Sequence, residues 1–298
     1  MNYLVQVQQA IDYIEANLES ELNLKDVANA ACISQWHFQR IFKALTNETL
    51  KTYIRSRRLA KALDKLLKSN ERIIDIAIAA GFESQESFTR AFKQAFDMTP
   101  NKARKIGDDN QFLKKIVFNS EYIKHINQNI SLTPEIYTVE EKHYIGITTE
   151  YFSDDTEKNN IGEKLPSLWN DFLARLEEIP KFIDNTAYGI IQQPLNKKVN
   201  GLECILEYTA AVEVKKIESI PTGMISMTIP KTTYAKFRHK GKPMEVNNTV
   251  NYVYSSWLMQ SGKQHNYHHS HSADIETYSD EYIPDSDDSV IYYSIPIE

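Results

Sequence analysis

One segment of this chain is written twice. The stretch SQWHFQRIFKALT begins at Ser34, and the closely similar stretch SQESFTRAFKQAF begins at Ser84. The similarity extends upstream, where DVANAACIS at Asp26 parallels DIAIAAGFES at Asp75. Such self-similarity marks a duplicated supersecondary unit. The identical pairs are Ser34/Ser84, Gln35/Gln85, Phe38/Phe88, Arg40/Arg90, Phe42/Phe92 and Lys43/Lys93.

Each copy predicts two short helices joined by a tight turn. Apolar residues recur at helical spacing in each half of the unit, as at Leu24 and Val27 and then at Phe38 and Phe42. Ser34 and Ser84 are suited to cap the second helix of their copies, because a serine hydroxyl accepts from free backbone N–H groups. Gly81 marks the turn of the second copy, since glycine adopts left-handed backbone freely. The pattern is typical of a helix-turn-helix.

The second helix of each copy has an apolar face and a polar face. Glutamine and arginine side chains can read base edges in the major groove of DNA, and lysine more often contacts phosphate. We therefore predict two recognition helices. As an alternative, Trp36 packs against a neighbouring helix. The predicted DNA-binding residues are Gln35, Trp36, Gln39, Arg40 and Lys43 in the first copy, and Gln85, Glu86, Thr89, Arg90 and Lys93 in the second.

A single long helix is predicted between the two copies. The segment LKTYIRSRRLAKALDKLLKS contains no Gly or Pro, and about 20 helical residues span about 30 Å. This length approaches the ~34 Å between successive major-groove faces of B-DNA, so one chain could read both. Arg55, Arg57 and Arg58 on this helix are placed to meet phosphates.

The formal net charge of −6 is unevenly distributed. Residues 1–107 contain 16 Lys and Arg against 12 Asp and Glu, whereas 108–298 contain 18 against 28. A basic N-terminal half indicates a polyanionic partner, although a solvated helix face has a similar composition. The chain shows no apolar run of ~18 residues and no basic leader. Cys32 and Cys204 show no metal or redox spacing. We therefore expect a cytoplasmic, nucleoid-associated protein without a membrane partner.

The N-terminal half resembles the DNA-binding domain of AraC/XylS-type transcriptional regulators. The resemblance rests on SQWHFQRIFK, YIRSRRLAKALDKL, IIDIAIAAGFESQESFTRAFKQAF and MTP. It implies that double-stranded DNA is bound in two successive major grooves and that RNA polymerase is a partner in activation. Glu86 replaces a usual glutamine and Ala103 a usual aromatic residue. Glu86 either accepts from a cytosine amino group or favours the positive end of its helix.

The C-terminal half changes character after a polar stretch. We predict a double helix-turn-helix domain over 1–107, a linker over 108–133 and an α+β domain over 134–298. In the last, β-rich segments alternate with two amphipathic helices. Two β-α-β-β units in one pseudo-symmetric domain are the predicted arrangement, with a concave, aromatic-lined pocket at their seam.

This half resembles the GyrI-like effector-binding domain, on the segments YAKFRHKGKPMEV, SSWLMQSG, DIETY and IYYSIPI. The resemblance implies a small, lipophilic or cationic effector that meets Glu276 between aromatic walls. Tyr292 stands where relatives often carry a second glutamate. As alternatives, Glu276 is an ordinary hydrogen-bonded strand residue, or the domain binds another protein or is a weak hydrolase. The predicted effector-binding residues are Glu276, Tyr278, Trp257, Tyr208, Trp169 and Tyr292.

No catalytic fingerprint or cofactor motif is present in the sequence. The tract HNYHHSHSADIE, which begins at His265, contains four histidines up to His271 but no tetrahedral ligand spacing, so we expect no metal there. The sequence therefore predicts a DNA-binding transcription regulator, not an enzyme, which needs no cofactor and senses a small molecule.

Overall fold

A computed structural model describes residues 3–106, 133–194, 203–266 and 273–298. Nearly all of the predicted linker, 108–133, lies outside the described residues, as do His268, His269 and His271 of the histidine tract. Within the described ranges, no helix is long and apolar enough to cross a membrane.

The N-terminal part is entirely helical, and both helix-turn-helix units form as predicted. Ser34 caps α3 by accepting from the backbone N–H of His37 at 3.3 Å, and Ser84 caps α6 by accepting from that of Ser87 at 3.1 Å. Cys32 and Gly81 both adopt positive φ in the turns, at 53° and 77°. The helices are α1 (Tyr3–Ala16), α2 (Leu24–Ala30), α3 (Gln35–Thr46), α4 (Leu50–Lys68), α5 (Ile73–Ala79), α6 (Gln85–Phe96) and α7 (Pro100–Ile106).

The connector α4 is one uninterrupted helix of 19 residues, about 28 Å long. Its N-terminal and C-terminal halves contribute to two different apolar clusters. The second unit packs around Phe88, Phe92 and Phe96, with Ala103 closing the cluster. Ala95, which the helical pattern would turn inward, is exposed, and Phe96 fills that position. The first unit has no separate core, because its apolar residues join one cluster with those of the C-terminal half.

The C-terminal part is one eight-stranded antiparallel sheet with helices packed on it. The strands are β1 (Glu135–Val139), β2 (Lys142–Tyr151), β3 (Phe182–Gln192), β4 (Leu206–Val214), β5 (Ile225–Ile229), β6 (Thr232–Lys240), β7 (Asp274–Tyr278) and β8 (Val290–Pro296), in the order β1-β6-β8-β7-β3-β4-β2-β5. The helices are α8 (Ile161–Ala174), α9 (Val246–Tyr252), a π-helical turn (Val253–Trp257) and α10 (Leu258–Ser261).

The predicted duplication is confirmed, with one strand more in each unit than expected. Exchanging β1–β4 for β5–β8 maps the sheet order onto its own reverse, as a pseudo-two-fold axis requires. The first strand of each unit crosses to the other, since β1 pairs with β6 and β5 pairs with β2. The two units meet where β3 pairs with β7, with Gly189 opposite Glu276. This seam carries the residues that the sequence predicts for effector binding.

Candidate nucleic-acid interface and ligand site

The polar face of α6 is open to solvent. Phe88 and Phe92 anchor the helix in the second unit, so the opposite face is turned outward. Glu86 is in the first turn of α6, where its negative charge interacts favourably with the positive end of the helix dipole. Five of the predicted DNA-binding residues therefore share one accessible surface, with Gln85, Glu86, Arg90 and Lys93 exposed and Thr89 half-buried.

The corresponding face of α3 is buried by the C-terminal part. Trp36 and Arg40 are each 6% exposed and Gln39 is 3% exposed. Gln35 and Lys43, at the margins, are half-buried. In the first copy, the predicted DNA-reading stripe is therefore covered by protein, and Trp36 is packed as its alternative interpretation expects. The reason is that α9 and the following π-helical turn pack directly on α3.

Three polar residues of α3 contact the C-terminal part. The Oε1 atom of Gln39 accepts from the backbone N–H of Cys204 at 3.1 Å. The Nε atom of Arg40 lies 3.9 Å from Oδ2 of Asp155, and its guanidinium carbon is 5.8 Å from the ring centre of Tyr254. The His37 ring centre is 4.1 Å from that of His265. The groups predicted to face bases thus face protein.

Some polar groups that are buried in this contact lack hydrogen bonds. Within the described part of the chain, the Oε1 atom of Gln35, the Nε1 atom of Trp36 and the Nε atom of Arg40 are buried without a hydrogen-bond partner. A buried polar group left unpaired costs about 1–3 kcal/mol. The apolar contacts that cover α3 must therefore outweigh the free-energy cost of burying these polar groups without partners.

An acidic segment between β2 and α8, the acidic loop (152–160), reaches the N-terminal part. Glu157 pairs with Nζ of Lys51 at 2.9 Å and accepts from the Thr52 hydroxyl at 3.1 Å. Burial opposes ionisation of Glu157, but the hydrogen bond from Lys51 lowers the pKa of its carboxyl below the ordinary value. Burial and the neighbouring charge of Asp155 raise the pKa of the Asp154 carboxyl.

The three connector arginines have different environments. Arg55 is exposed. Arg57 donates from Nε and Nη2 to the two carboxylate oxygens of Glu15 on α1, at 2.8 and 3.0 Å. Arg58 donates to the backbone carbonyls of Leu18 and Ser20, at 2.7 and 2.8 Å. Two of the three predicted phosphate contacts are therefore engaged within the protein, where they tie α4 to the end of α1.

Four of the six predicted effector residues come together at the seam. The Oε2 atom of Glu276 accepts from the hydroxyls of Tyr208 at 2.6 Å and Tyr278 at 2.9 Å. Trp169 on α8 donates from Nε1 to the Tyr208 oxygen at 3.3 Å, and its ring centre is 5.0 Å from that of Tyr278. We call Glu276, Tyr208, Tyr278 and Trp169 the seam cluster.

Glu276 is half-buried, and the side chains of Tyr208, Tyr278 and Trp169 lie around its carboxyl. Burial raises its pKa, while the hydrogen bonds from Tyr208 and Tyr278 and the charge of Arg40 act in the opposite direction. The arrangement provides a carboxylate with aromatic walls, a combination that favours cations.

The other two predicted effector residues lie elsewhere. Successive strand residues point to opposite faces, and Tyr293, not Tyr292, is directly opposite Glu276 in the β7–β8 ladder. Tyr292 therefore points away from the seam cluster and hydrogen-bonds Glu281. Trp257 packs on Phe237 of β6, with ring centres 5.1 Å apart.

Sequence reasoning missed a second buried cluster beside the seam. The carboxylate of Asp274 accepts from the hydroxyls of Tyr254, at 2.6 Å, and Tyr293, and lies 2.9 Å from Nε2 of His265. We call these four residues the aspartate cluster. Strand alternation gave a signal, because Asp274 and Glu276 are two residues apart on β7 and share a face. Among the described residues, no group of three or more His, Cys, Asp and Glu could hold a metal ion.

Comparison with known proteins assigns both parts of the chain. Residues 27–106 match a helix-turn-helix domain, and residues 132–298 match the GyrI-like small molecule binding domain. The chain is 45% identical over 100 residues to the multiple antibiotic resistance protein MarA of Escherichia coli, covering 34% of this chain and 79% of that protein. It is 27% identical over 255 residues to the transcriptional regulator Rob of Salmonella typhimurium, covering 85% of this chain and 84% of that protein.

The right origin-binding protein of Escherichia coli is similar to the same extent, at 27% identity over 255 residues, with 85% of this chain and 84% of that protein covered. These full-length relatives show the same order of domains that the fold displays here. The chain therefore belongs to the AraC-type DNA-binding transcription regulators that carry a GyrI-like small-molecule-binding domain.

Proposed function

We propose that this regulator reads an asymmetric DNA site, with α3 and α6 entering successive major grooves. The observation that carries this proposal is the exposed polar face of α6, a helix held by a helix-turn-helix core and bearing Gln85 and Arg90. Differences between the two helices at Trp36 and Glu86 favour different half-sites. Because both units are in one chain, a monomer suffices for the site.

The action on transcription is proposed to be activation, through contact with RNA polymerase at promoters on chromosomal DNA. A chain that binds one asymmetric site has a fixed orientation on the duplex. Such an orientation suits contact with a polymerase on one side of the site only.

The C-terminal domain is proposed to sense a small lipophilic cation at the seam cluster. A carboxylate supplies the opposite charge, and the rings of Tyr208, Tyr278 and Trp169 supply faces for a cation–π contact. Both tyrosine hydroxyls donate to Glu276, which fixes the position of this carboxylate between the rings.

Selection of binding sites from a random-sequence duplex pool tests the DNA proposal. We expect a selected duplex with two half-sites about one helical turn apart. On it, Arg90→Ala should cost ~1–3 kcal/mol of specific binding free energy and relax base preference in one half-site. Lys93→Ala should weaken binding to all duplexes alike.

The control is Lys181→Ala, which removes a positive charge from an exposed side chain in the C-terminal domain. It should leave affinity and preference unchanged. Selection of no sequence, or a selected site that Arg90→Ala binds as wild type does, would contradict the proposal.

A further inference from the structure

The C-terminal domain covers the face of α3 that is proposed to read bases. A B-DNA major groove is about 12 Å wide and admits one helix. It cannot receive α3 while α9 and the π-helical turn lie on the same face. In this arrangement, α6 is available to DNA and α3 is not.

The acidic loop occupies the neighbourhood where phosphates would meet the first unit. Its carboxylates lie beside Arg40, Lys51 and Thr52, at 3.9, 2.9 and 3.1 Å. The charge of Lys43 also acts on Asp154, and that of Arg55 on Glu157. A strongly acidic half thus meets a basic one through the groups that DNA would engage.

The same contact is poised to open. Buried polar atoms without a hydrogen bond on Gln35, Trp36 and Arg40 lower its stability, although Arg40 keeps its ion pair with Asp155. In a major groove, these polar groups regain partners from base edges, phosphates or water. Closure and DNA binding therefore compete for the same side chains, and the closed contact is the one that leaves polar groups without hydrogen bonds.

Arg40 connects this contact to the seam cluster. Its guanidinium lies beside Tyr254, which donates to Asp274. Asp274 shares a strand face with Glu276, and the charge of Arg40 acts on the Glu276 carboxyl. A cation bound at Glu276 offsets the negative charge that acts on Arg40, and this loss of attraction disfavours the covered arrangement.

We propose that the C-terminal domain is an intramolecular competitor of DNA that holds α3 through Arg40, and that a cation at the seam cluster releases the helix. The inference rests on the proposed function, because it assigns regulation to the same two sites. The cation binds the open state better than the closed state, which is the differential affinity that a population shift requires. By linkage, DNA tightens cation binding by the same factor.

Zero-length cross-linking of the full chain tests the closed contact without DNA. A carbodiimide joins the Lys51 amine to the Glu157 carboxyl as an amide, while the reagent takes up the lost water and becomes a urea. We expect this cross-link in the protein alone, identified by mass spectrometry. Internal controls are Lys65 with Glu19, 2.8 Å apart in the N-terminal part, and Lys142 with Glu213, 2.6 Å apart in the sheet.

Tetraphenylphosphonium serves as the cation probe, and tetraphenylborate as its anionic counterpart of similar shape. The phosphonium ion should reduce the Lys51–Glu157 cross-link by about threefold or more and leave both controls unchanged, and the borate ion should reduce none. A missing Lys51–Glu157 cross-link beside normal controls overturns the closed contact. A cross-link insensitive to the phosphonium ion overturns the release.

Affinity for the selected duplex gives a second, independent test. Asp155→Asn removes the charge facing Arg40 and should tighten binding by about fivefold or more, because more of the protein is competent. Asp287→Asn makes the same change in net charge at an exposed site paired with Lys242 and should not. Glu157→Gln provides a second opening variant should Asp155→Asn fold poorly.

Different results would contradict DNA recognition and the competition by the C-terminal domain. If no variant binds a selected duplex, the proposed DNA function is wrong. If wild type, Asp155→Asn and Glu157→Gln bind it equally, DNA recognition stands and the competition by the C-terminal domain is wrong.

Discussion

At the scale of single residues, Arg55 and Arg57 show how similar positions acquire different roles. Both belong to the basic connector α4, and sequence pattern alone assigns both to phosphates. Arg57 instead grips both carboxylate oxygens of Glu15, and its side chain is only 17% exposed. Arg55 projects to solvent. The difference arises because Glu15, near the C-terminal end of α1, lies beside Arg57 and not beside Arg55.

We predict opposite outcomes for the two alanine variants. Arg57→Ala should lower the free energy of unfolding by about 1–2 kcal/mol, because it leaves Glu15 without its bidentate partner. Arg55→Ala should leave stability unchanged and reduce the salt slope of DNA binding by about 1, as loss of one phosphate contact does. Urea denaturation and affinity against salt concentration measure the two. If Arg57→Ala is as stable as wild type and has a reduced salt slope, Arg57 contacts phosphate and the proposed structural role is wrong.

At the scale of elements, the seam between β3 and β7 depends on a missing side chain. A Cβ atom on Gly189 would lie 1.9 Å from the Tyr208 hydroxyl oxygen and 3.0 Å from Oε2 of Glu276. Glycine therefore lets the Tyr208 side chain cross over β3 and reach Glu276. An internal glycine destabilises a strand, but here it permits the close approach of Tyr208 to Glu276.

Gly189→Ala should consequently displace Tyr208 and weaken binding of tetraphenylphosphonium by about tenfold, the equivalent of one hydrogen bond to a charged group. Gly162→Ala on α8 is the control, since nothing lies within 4 Å of its added Cβ. Isothermal titration of both variants measures the effect. Unchanged affinity in Gly189→Ala would show that the cation does not use this cluster.

At the scale of the whole molecule, the two helix-turn-helix units are similar in sequence but differ in surroundings. The second has its own core, and the first shares one with the C-terminal domain. Its contact includes His37, which faces His265 and Tyr254 from the C-terminal part, Tyr3 from α1 and Arg40 from its own helix. Burial and the charges of His265 and Arg40 lower the pKa of His37 well below its ordinary value.

The free energy of unfolding should therefore decrease as the pH is lowered through a defined window. Above about pH 6.5, His37 is neutral both folded and unfolded, so its contribution is constant. Below that value the unfolded chain takes up a proton that the folded chain refuses, and stability decreases by up to ~1.4 kcal/mol per pH unit. Urea denaturation between pH 7.5 and 5.5 measures this slope in wild type and in His37→Gln.

The variant should lack this part of the slope, whereas His143→Gln on β2 should keep it. Asp154, whose carboxyl pKa is raised, is present in all three proteins and cancels in the differences. Equal slopes in wild type and His37→Gln would show that His37 is not buried against the C-terminal domain.

The amino-acid sequence by itself determined the local elements. The duplicated pattern specified both helix-turn-helix units, and the capping serines begin α3 and α6 as predicted. The absence of Gly and Pro predicted α4 as one helix. These features follow from periodicity and capping, which act over a few residues.

Only the tertiary structure decided what lies against each face. Gln39 and Cys204 are 165 residues apart in sequence, and Tyr3 and His265 are 262 apart, yet each pair is hydrogen-bonded. Helical periodicity indicates which residues of α3 form its polar stripe, but it does not indicate whether water, DNA or protein covers that stripe. Likewise, strand alternation distinguishes Tyr293 from Tyr292 only once the register with Glu276 is known. Such contacts depend on the packing of distant segments, because burial is a property of the assembled molecule.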